Sequence, residues 1–205
     1  MLIPLKEEMT SARDNAKKPS AGRPMSRFER NRSRALELFV ERGFAQVSLR
    51  ELASHLELTV GSLYNHCSGK EDLLLEFIEE HYTAMLALFE RRPRQASVGT
   101  RLPVLVERLI ALHDSSPLHF RLAIRELDCL RPSQRQHIER MREQLRQRLS
   151  TSLRSTGCHA ADNDIVVLEL FEHLPLWLSS YPLGDRHKAL TQLLISASSP
   201  CENRS

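Results

Sequence analysis

Glycine is scarce in this chain, seven residues in 205, and aromatic side chains make up only 5% of it. Phosphate-cradling glycine loops, nucleophile motifs and paired carboxylates are all missing, which removes the common sequence signatures of an enzyme. The four cysteines, Cys67, Cys129, Cys158 and Cys201, are scattered without a CxxC pair. In a chain of this length that argues against a disulfide framework. With nine dispersed histidines and no HExxH it argues against a metal centre too. No apolar run reaches the ~18 residues of a membrane span, and no signal-peptide pattern is present. A soluble, cytoplasmic protein with free thiols and no cofactor or membrane partner is therefore expected. Sustained apolar–polar alternation is absent as well; with abundant leucine, this points to an all-α chain.

Charge is small in sum and uneven in place. The net charge is +3, yet residues 11–34 hold eight Lys or Arg against two acids, while the stretch from Glu71 onward is close to neutral. A positive field confined to one end fits phosphate binding there, and a solvated basic tail would give the same pattern. Residues 1–24 are polar, with Pro19, Gly22 and Pro24 as helix breakers, and read as a disordered arm. Arg23, held between Gly22 and Pro24, is a candidate for the minor groove of DNA, or simply part of a linker.

The rest of the chain is organised around 48–70, SLRELASHLELTVGSLYNHCSGK. Ser48 with Glu51 fits a capping box, and Ser68 with Glu71 fits a second. Leu49, Leu52, Ala53 and Leu56 share a helical face, and the steps Ala53–Leu58–Leu63 wedge a second helix against the first, the spacing of a helix-turn-helix. Thr59 is placed to cap that second helix. Candidate DNA contacts are Arg23, Ser48, Arg50, Thr59, Val60, Ser62, Tyr64, Asn65, His66 and Lys70. Hydroxyl and amide groups suit base edges, and Tyr64, His66 and Lys70 suit phosphate oxygens. A first helix over Arg27–Arg42, stopped by Gly43 and followed by Phe44, completes the unit.

The run from Arg27 to Leu74 resembles the DNA-binding domain of TetR/AcrR-type transcriptional regulators. The matching residues are Ala35-Leu36-Glu37-Leu38-Phe39, Gly43-Phe44, Val47 to Ala53, Gly61-Ser62-Leu63-Tyr64 and Lys70 to Leu73. Three positions depart from that pattern. Glu57 stands in the turn where such units usually carry Gly, and a left-handed backbone there strains a residue with a Cβ. Val60 replaces a common polar residue, and Cys67 replaces a usual Phe.

Downstream, a long fourth helix is expected from Lys70 to about Arg92, then a linker, then helices near 98–113, 117–129, 133–155, 162–180 and 184–197. The resulting division is an arm (1–24), a helix-turn-helix domain (25–70), a helical regulatory and dimerisation domain (71–200) and a tail (201–205). The 133–155 helix carries a basic face, Arg135, Arg140, Arg142, Arg146 and Arg148, which reads first as a solvated or partner surface. The last two helices have more apolar side chains than one stripe uses, and the resemblance implies that they pair with their twins in a homodimer. It also implies an effector held inside the bundle. Candidate wall residues are Tyr82, Met85, Phe89, Leu109, His113, Phe120, Phe171, His173 and Trp177, which would suit a small apolar or amphipathic molecule. Pro175 is expected to kink its helix.

The fold class expected is all-α, with an N-terminal three-helix head and a C-terminal helical bundle. The function implied is a repressor that binds a palindromic double-stranded operator as a homodimer and is released by its effector. Two alternatives stay open: a DNA-bound interaction factor with no effector, and a small-molecule enzyme. A redox role for Cys67 beside a helix start competes with that of an inert buried thiol.

Overall fold

A computed structural model describes residues 26–90, 101–154, 164–177 and 179–197. All regular elements among them are helical, with no strand. In chain order they are α1 (Arg27–Arg42), α2 (Leu49–His55), α3 (Val60–Tyr64), α4 (Lys70–Ala87), α5 (Arg101–Ser115), α6 (Pro117–Arg125), α7 (Pro132–Arg154), α8 (Asp164–Trp177) and α9 (Leu183–Ala197). Short 3-10 turns at Phe44–Gln46 and Leu127–Cys129 join α1 to α2 and α6 to α7. Arg23, the 91–100 linker, Cys158 and Cys201 lie outside the described residues.

Local chemistry sets these limits. Ser26 and Glu29 form a complete capping box at α1: the Ser26 hydroxyl accepts from Glu29 N at 3.1 Å, and the Glu29 carboxylate accepts from Ser26 N at 2.6 Å. Gly43 ends α1 at φ +82°, a conformation that costs glycine nothing. The two boxes expected further on are corrected. At α2 the Ser48 hydroxyl caps Glu51 N at 3.2 Å, but the Glu51 carboxylate turns to Arg42 instead. At α4 the helix starts one residue later than the box requires: the cap is Gly69, which has no side chain to bond, and Glu71 pairs with Arg131 at 3.5 Å. Helix α4 also stops at Ala87, five residues short of the expected end. Its last amides, on Leu88, Phe89 and Glu90, bond three residues back, which tightens and closes the helix without a Pro or Gly. Helix α8 runs through position 175 to Trp177.

One buried core runs from Phe28 in α1 to Leu194 in α9, with Phe39, Phe77, Phe120 and Phe171 fully enclosed. Two arginines fasten the head to the body, and a third braces α4 against the start of α7. Arg32 of α1 lies over the Phe77 ring at 4.2 Å and pairs with Glu76 and Glu80 of α4 at 3.0 and 2.8 Å. Arg125 of α6 donates to the Val40 carbonyl at 3.2 Å. Arg131, just before α7, pairs with Asp72 at 3.2 Å, and Gln134 donates to the same carboxylate at 3.0 Å. These contacts tie α1 to both α4 and α6.

The basic face of α7 is largely neutralised: Arg135 pairs with Asp128, Arg146 with Glu143, and Arg148 with Glu90. Arg142 goes further, into the interior. Its guanidinium grips Glu172 of α8 through two bonds, 3.2 Å to Oε1 and 2.7 Å to Oε2, and pairs with Glu169 at 2.7 Å. The buried Tyr82 phenol on α4 hydrogen-bonds the same Glu172 carboxylate.

Candidate nucleic-acid interface

The turn between α2 and α3 decides what the head presents. The Leu58 amide reaches back to Ala53 O at 2.9 Å and the Glu57 amide to Ser54 O at 3.0 Å, the paired bonds of a Schellman motif. That motif needs a left-handed residue, and here it is Glu57 at φ +58°, the only positive-φ residue other than glycine among those described. The strain foreseen at this position is thus present. Leu56 and Leu63 are buried on either side, so α3 is wedged where the Ala53–Leu58–Leu63 steps place it.

On α3 the Thr59 hydroxyl caps the Ser62 amide at 3.1 Å. Thr59, Tyr64, Asn65 and His66 are exposed, and Ser62 and Val60 half-buried, Val60 against the core. Tyr64 is 52% exposed, the one large exposed hydrophobic of the described head. His66 stacks flat on Phe28, centroids 4.4 Å apart, which fixes its ring at the rim of the same face. Ser48 and Arg50 are exposed at the start of α2.

Lys70 differs. Its ammonium donates to the carbonyls of Phe44 at 2.9 Å and Val47 at 2.8 Å and sits 4.3 Å from the Phe44 ring centroid. Two of its three N–H donors thus tie α4 to the 3-10 turn, and the third is left for the phosphate contact expected of it. Lys70→Met is expected to lower unfolding free energy by about 1–3 kcal/mol, since two partly buried acceptors lose a charged donor. Urea unfolding of the variant checks this. Cys67 is buried, its thiol directed at Leu63 O at 3.8 Å, and burial raises its pKa, so the inert reading is the one its setting supports.

The expected effector wall divides. Tyr82, Met85, Leu109, His113, Phe120 and Phe171 are buried together within the bundle, and Phe89 lies half-buried against Phe171 at 6.0 Å. Trp177 is corrected: it is 62% exposed, on the outer side of α8, with the half-buried His173 beside it at 6.0 Å. Glu169, Glu172 and His173 bring ligand atoms within 4.8 Å of one another, a grouping that matches no HExxH or CxxC spacing. Both oxygens of Glu172 already receive the Arg142 guanidinium, which supplies the positive charge there. Sequence reasoning also missed Asn31 and Arg34, whose bonds to the α2–α3 turn depend on how α1 crosses it; their spacing along α1 was the available signal.

The head and the fold as a whole resemble known proteins. Residues 32–77 match the model for bacterial regulatory proteins of the tetR family. No curated protein matches the chain. Among solved structures, the chain is similar to a bacterial regulatory protein in the tetR family from Rhodococcus RHA1, at 21% identity and a TM-score of 0.73, over 87% of this chain and 100% of that one. It is similar to the TetR family transcriptional regulator PfmR from Thermus thermophilus, at 19% identity and a TM-score of 0.66, over 85% and 100% of the two chains. A third similar structure is AibR in complex with isovaleryl coenzyme A and operator DNA, at 19% identity and a TM-score of 0.58, over 83% and 97%. The head of this chain thus matches the model for bacterial regulatory proteins of the tetR family over residues 32–77, and the chain as a whole shares the fold of solved TetR-family regulators.

Proposed function

We propose that this protein is a cytoplasmic, non-enzymatic transcriptional repressor that binds a palindromic DNA operator as a homodimer and is released by a small effector. The observation that carries the reading is the exposed face of α3, a clear patch of Thr59, Tyr64, Asn65 and His66 on a wedged helix. Arg50 and Ser48 flank it as backbone contacts, and Arg23 in the arm extends the basic field. Base edges take the groove-facing residues Thr59, Val60, Ser62 and Asn65.

Homodimerisation rests on where apolar surface is left open. Ile165, Val166, Trp177, Tyr181, Leu193 and Ile195, six of the seven exposed large hydrophobics among the described residues, lie on α8, α9 or their connection. A face of this kind on two adjacent helices suits a twofold contact, and a pair of heads reads two half-sites where one head reads too few bases. The division into arm (1–24), head (25–70), regulatory and dimerisation body (71–200) and tail (201–205) follows. The effector site is assigned to the bundle interior around Tyr82, Met85, Phe89, Leu109, His113, Phe120 and Phe171. AibR, whose structure holds both isovaleryl coenzyme A and operator DNA, supports such coupling by analogy. Among the described residues no helix is long and apolar enough to cross a membrane.

Tyr64→Ala tests the reading. Operator affinity is expected to fall about tenfold, ~1.4 kcal/mol, with the dimer intact by sedimentation. Unchanged affinity removes Tyr64 from the interface.

A further inference from the structure

Three side chains on one face of α1 converge on the strained turn. Arg34 pairs with the Glu57 carboxylate at 2.6 Å, Asn31 donates to Leu56 O at 3.0 Å, and Arg27 donates to Glu57 O at 3.4 Å. Glycine would adopt this left-handed conformation without help, yet the chain places a glutamate there and surrounds it with partners. The Arg34 bond and charge hold the Glu57 carboxyl below its usual pKa, so the carboxylate is charged throughout the neutral range.

We propose that Glu57 is a positioning residue: latched to Arg34, it fixes the angle at which α3 leaves the turn and so sets operator specificity. Helix α3 has only five residues, Val60–Tyr64, and begins three positions after Glu57. Such a short helix takes its direction from its entry turn. Phosphate contacts tolerate small rotations of a helix, whereas base-edge contacts do not, so the latch bears on selectivity more than on adhesion. The latch also occupies Arg34, a cation that charge counting alone assigns to phosphate. This inference rests on α3 being the DNA-reading element.

The test uses the full chain and three variants: Glu57→Gly, which suits the left-handed backbone but has no latch; Arg34→Met, which leaves Glu57 strained and unlatched; and the double variant. Binding to an operator duplex selected from genomic fragments and to a scrambled duplex is measured across salt concentrations. Melting temperature and amide exchange from Leu58 to Tyr64 are measured without DNA. The latch predicts that each single variant lowers the preference for operator over scrambled DNA about tenfold. It further predicts that the double is no worse than the poorer single, that the scrambled-duplex salt slope is unchanged, and that exchange is faster over 58–64. Glu57→Gly is expected to melt no lower than the parent, because relief of the left-handed strain offsets the lost ion pair, so a fall in its operator preference reports on positioning and not on lost stability. An unchanged operator preference in both single variants overturns the proposal. So does Arg34→Met weakening both duplexes equally with a slope reduced by about one, the mark of a direct phosphate contact. A parent protein that prefers no duplex overturns the assignment of α3 as reader and the specificity claim with it; amide exchange then still decides the latch, and unchanged rates refute it.

Discussion

Replacing Glu172 with alanine is expected to lower unfolding free energy by about 3 kcal/mol, the low end for breaking a buried pair, because Arg142 keeps Glu169 as a partner. Glu172 is only 3% exposed and receives both the Nε and an Nη of Arg142, which hold that guanidinium charged well above the ordinary arginine range. The same carboxylate takes the Tyr82 phenol, so one truncation frees polar groups on α4 and α7 together. Burial and the nearby carboxylate push the Tyr82 phenol well above its ordinary pKa, so it remains a neutral donor. Urea unfolding at neutral pH reads the loss. Arg142→Met combined with Glu172→Leu is expected to recover most of it, because an apolar pair of similar volume carries no desolvation penalty. A loss below about 1 kcal/mol for Glu172→Ala would show that the cluster is wet and interchangeable with a surface ion pair.

The second large effect is on acid stability. His81 of α4 is buried, with Phe120 edge-on at 4.5 Å and Tyr82 at 5.0 Å, and burial, aided by the charge of His119, lowers its pKa from 6.5 to about 3. The unfolded chain therefore takes up a proton near pH 6.5 that the folded chain refuses. Stability from this group is complete above pH 6.5 and declines as pH falls towards 3, by ~1.4 kcal/mol per pH unit. At pH 5 the loss from His81 alone is about 2 kcal/mol. Denaturant titrations between pH 7 and 5 measure it, and His81→Leu is expected to flatten the profile over that range. A parallel decline in parent and variant would place the titration elsewhere.

What the sequence discloses depends on how far apart the cooperating residues lie. Helix α1 is legible to its end residues because Gly43 is its own stop signal, and the Ala53–Leu58–Leu63 wedge is legible because all three residues sit within one turn unit. Glu57 is legible for the same reason: the position, not the partners, demands a left-handed backbone. Lys70 is not, since the carbonyls that hold it lie 26 and 23 residues back. Arg142 reads as one of a row of surface arginines until α8 arrives 30 residues later with Glu172. Periodicity marked α8 as apolar but does not say which of its side chains meet the bundle; Phe171 turned in and Trp177 out. At Ser48 the hydroxyl caps as the pattern suggests while Arg42 takes the Glu51 carboxylate, and at Ser68 the pattern misses because the helix is capped one residue later, at Gly69.

The central claim, that two heads present α3 to DNA, is tested most directly by footprinting the purified protein on genomic fragments it selects at moderate salt. The account predicts two symmetric half-sites, protected in the major groove and about one helical turn or a multiple of it apart, with protection lost on Tyr64→Ala. Binding that shows no preferred fragment, or a single unpaired site unaffected by Tyr64→Ala, would contradict it.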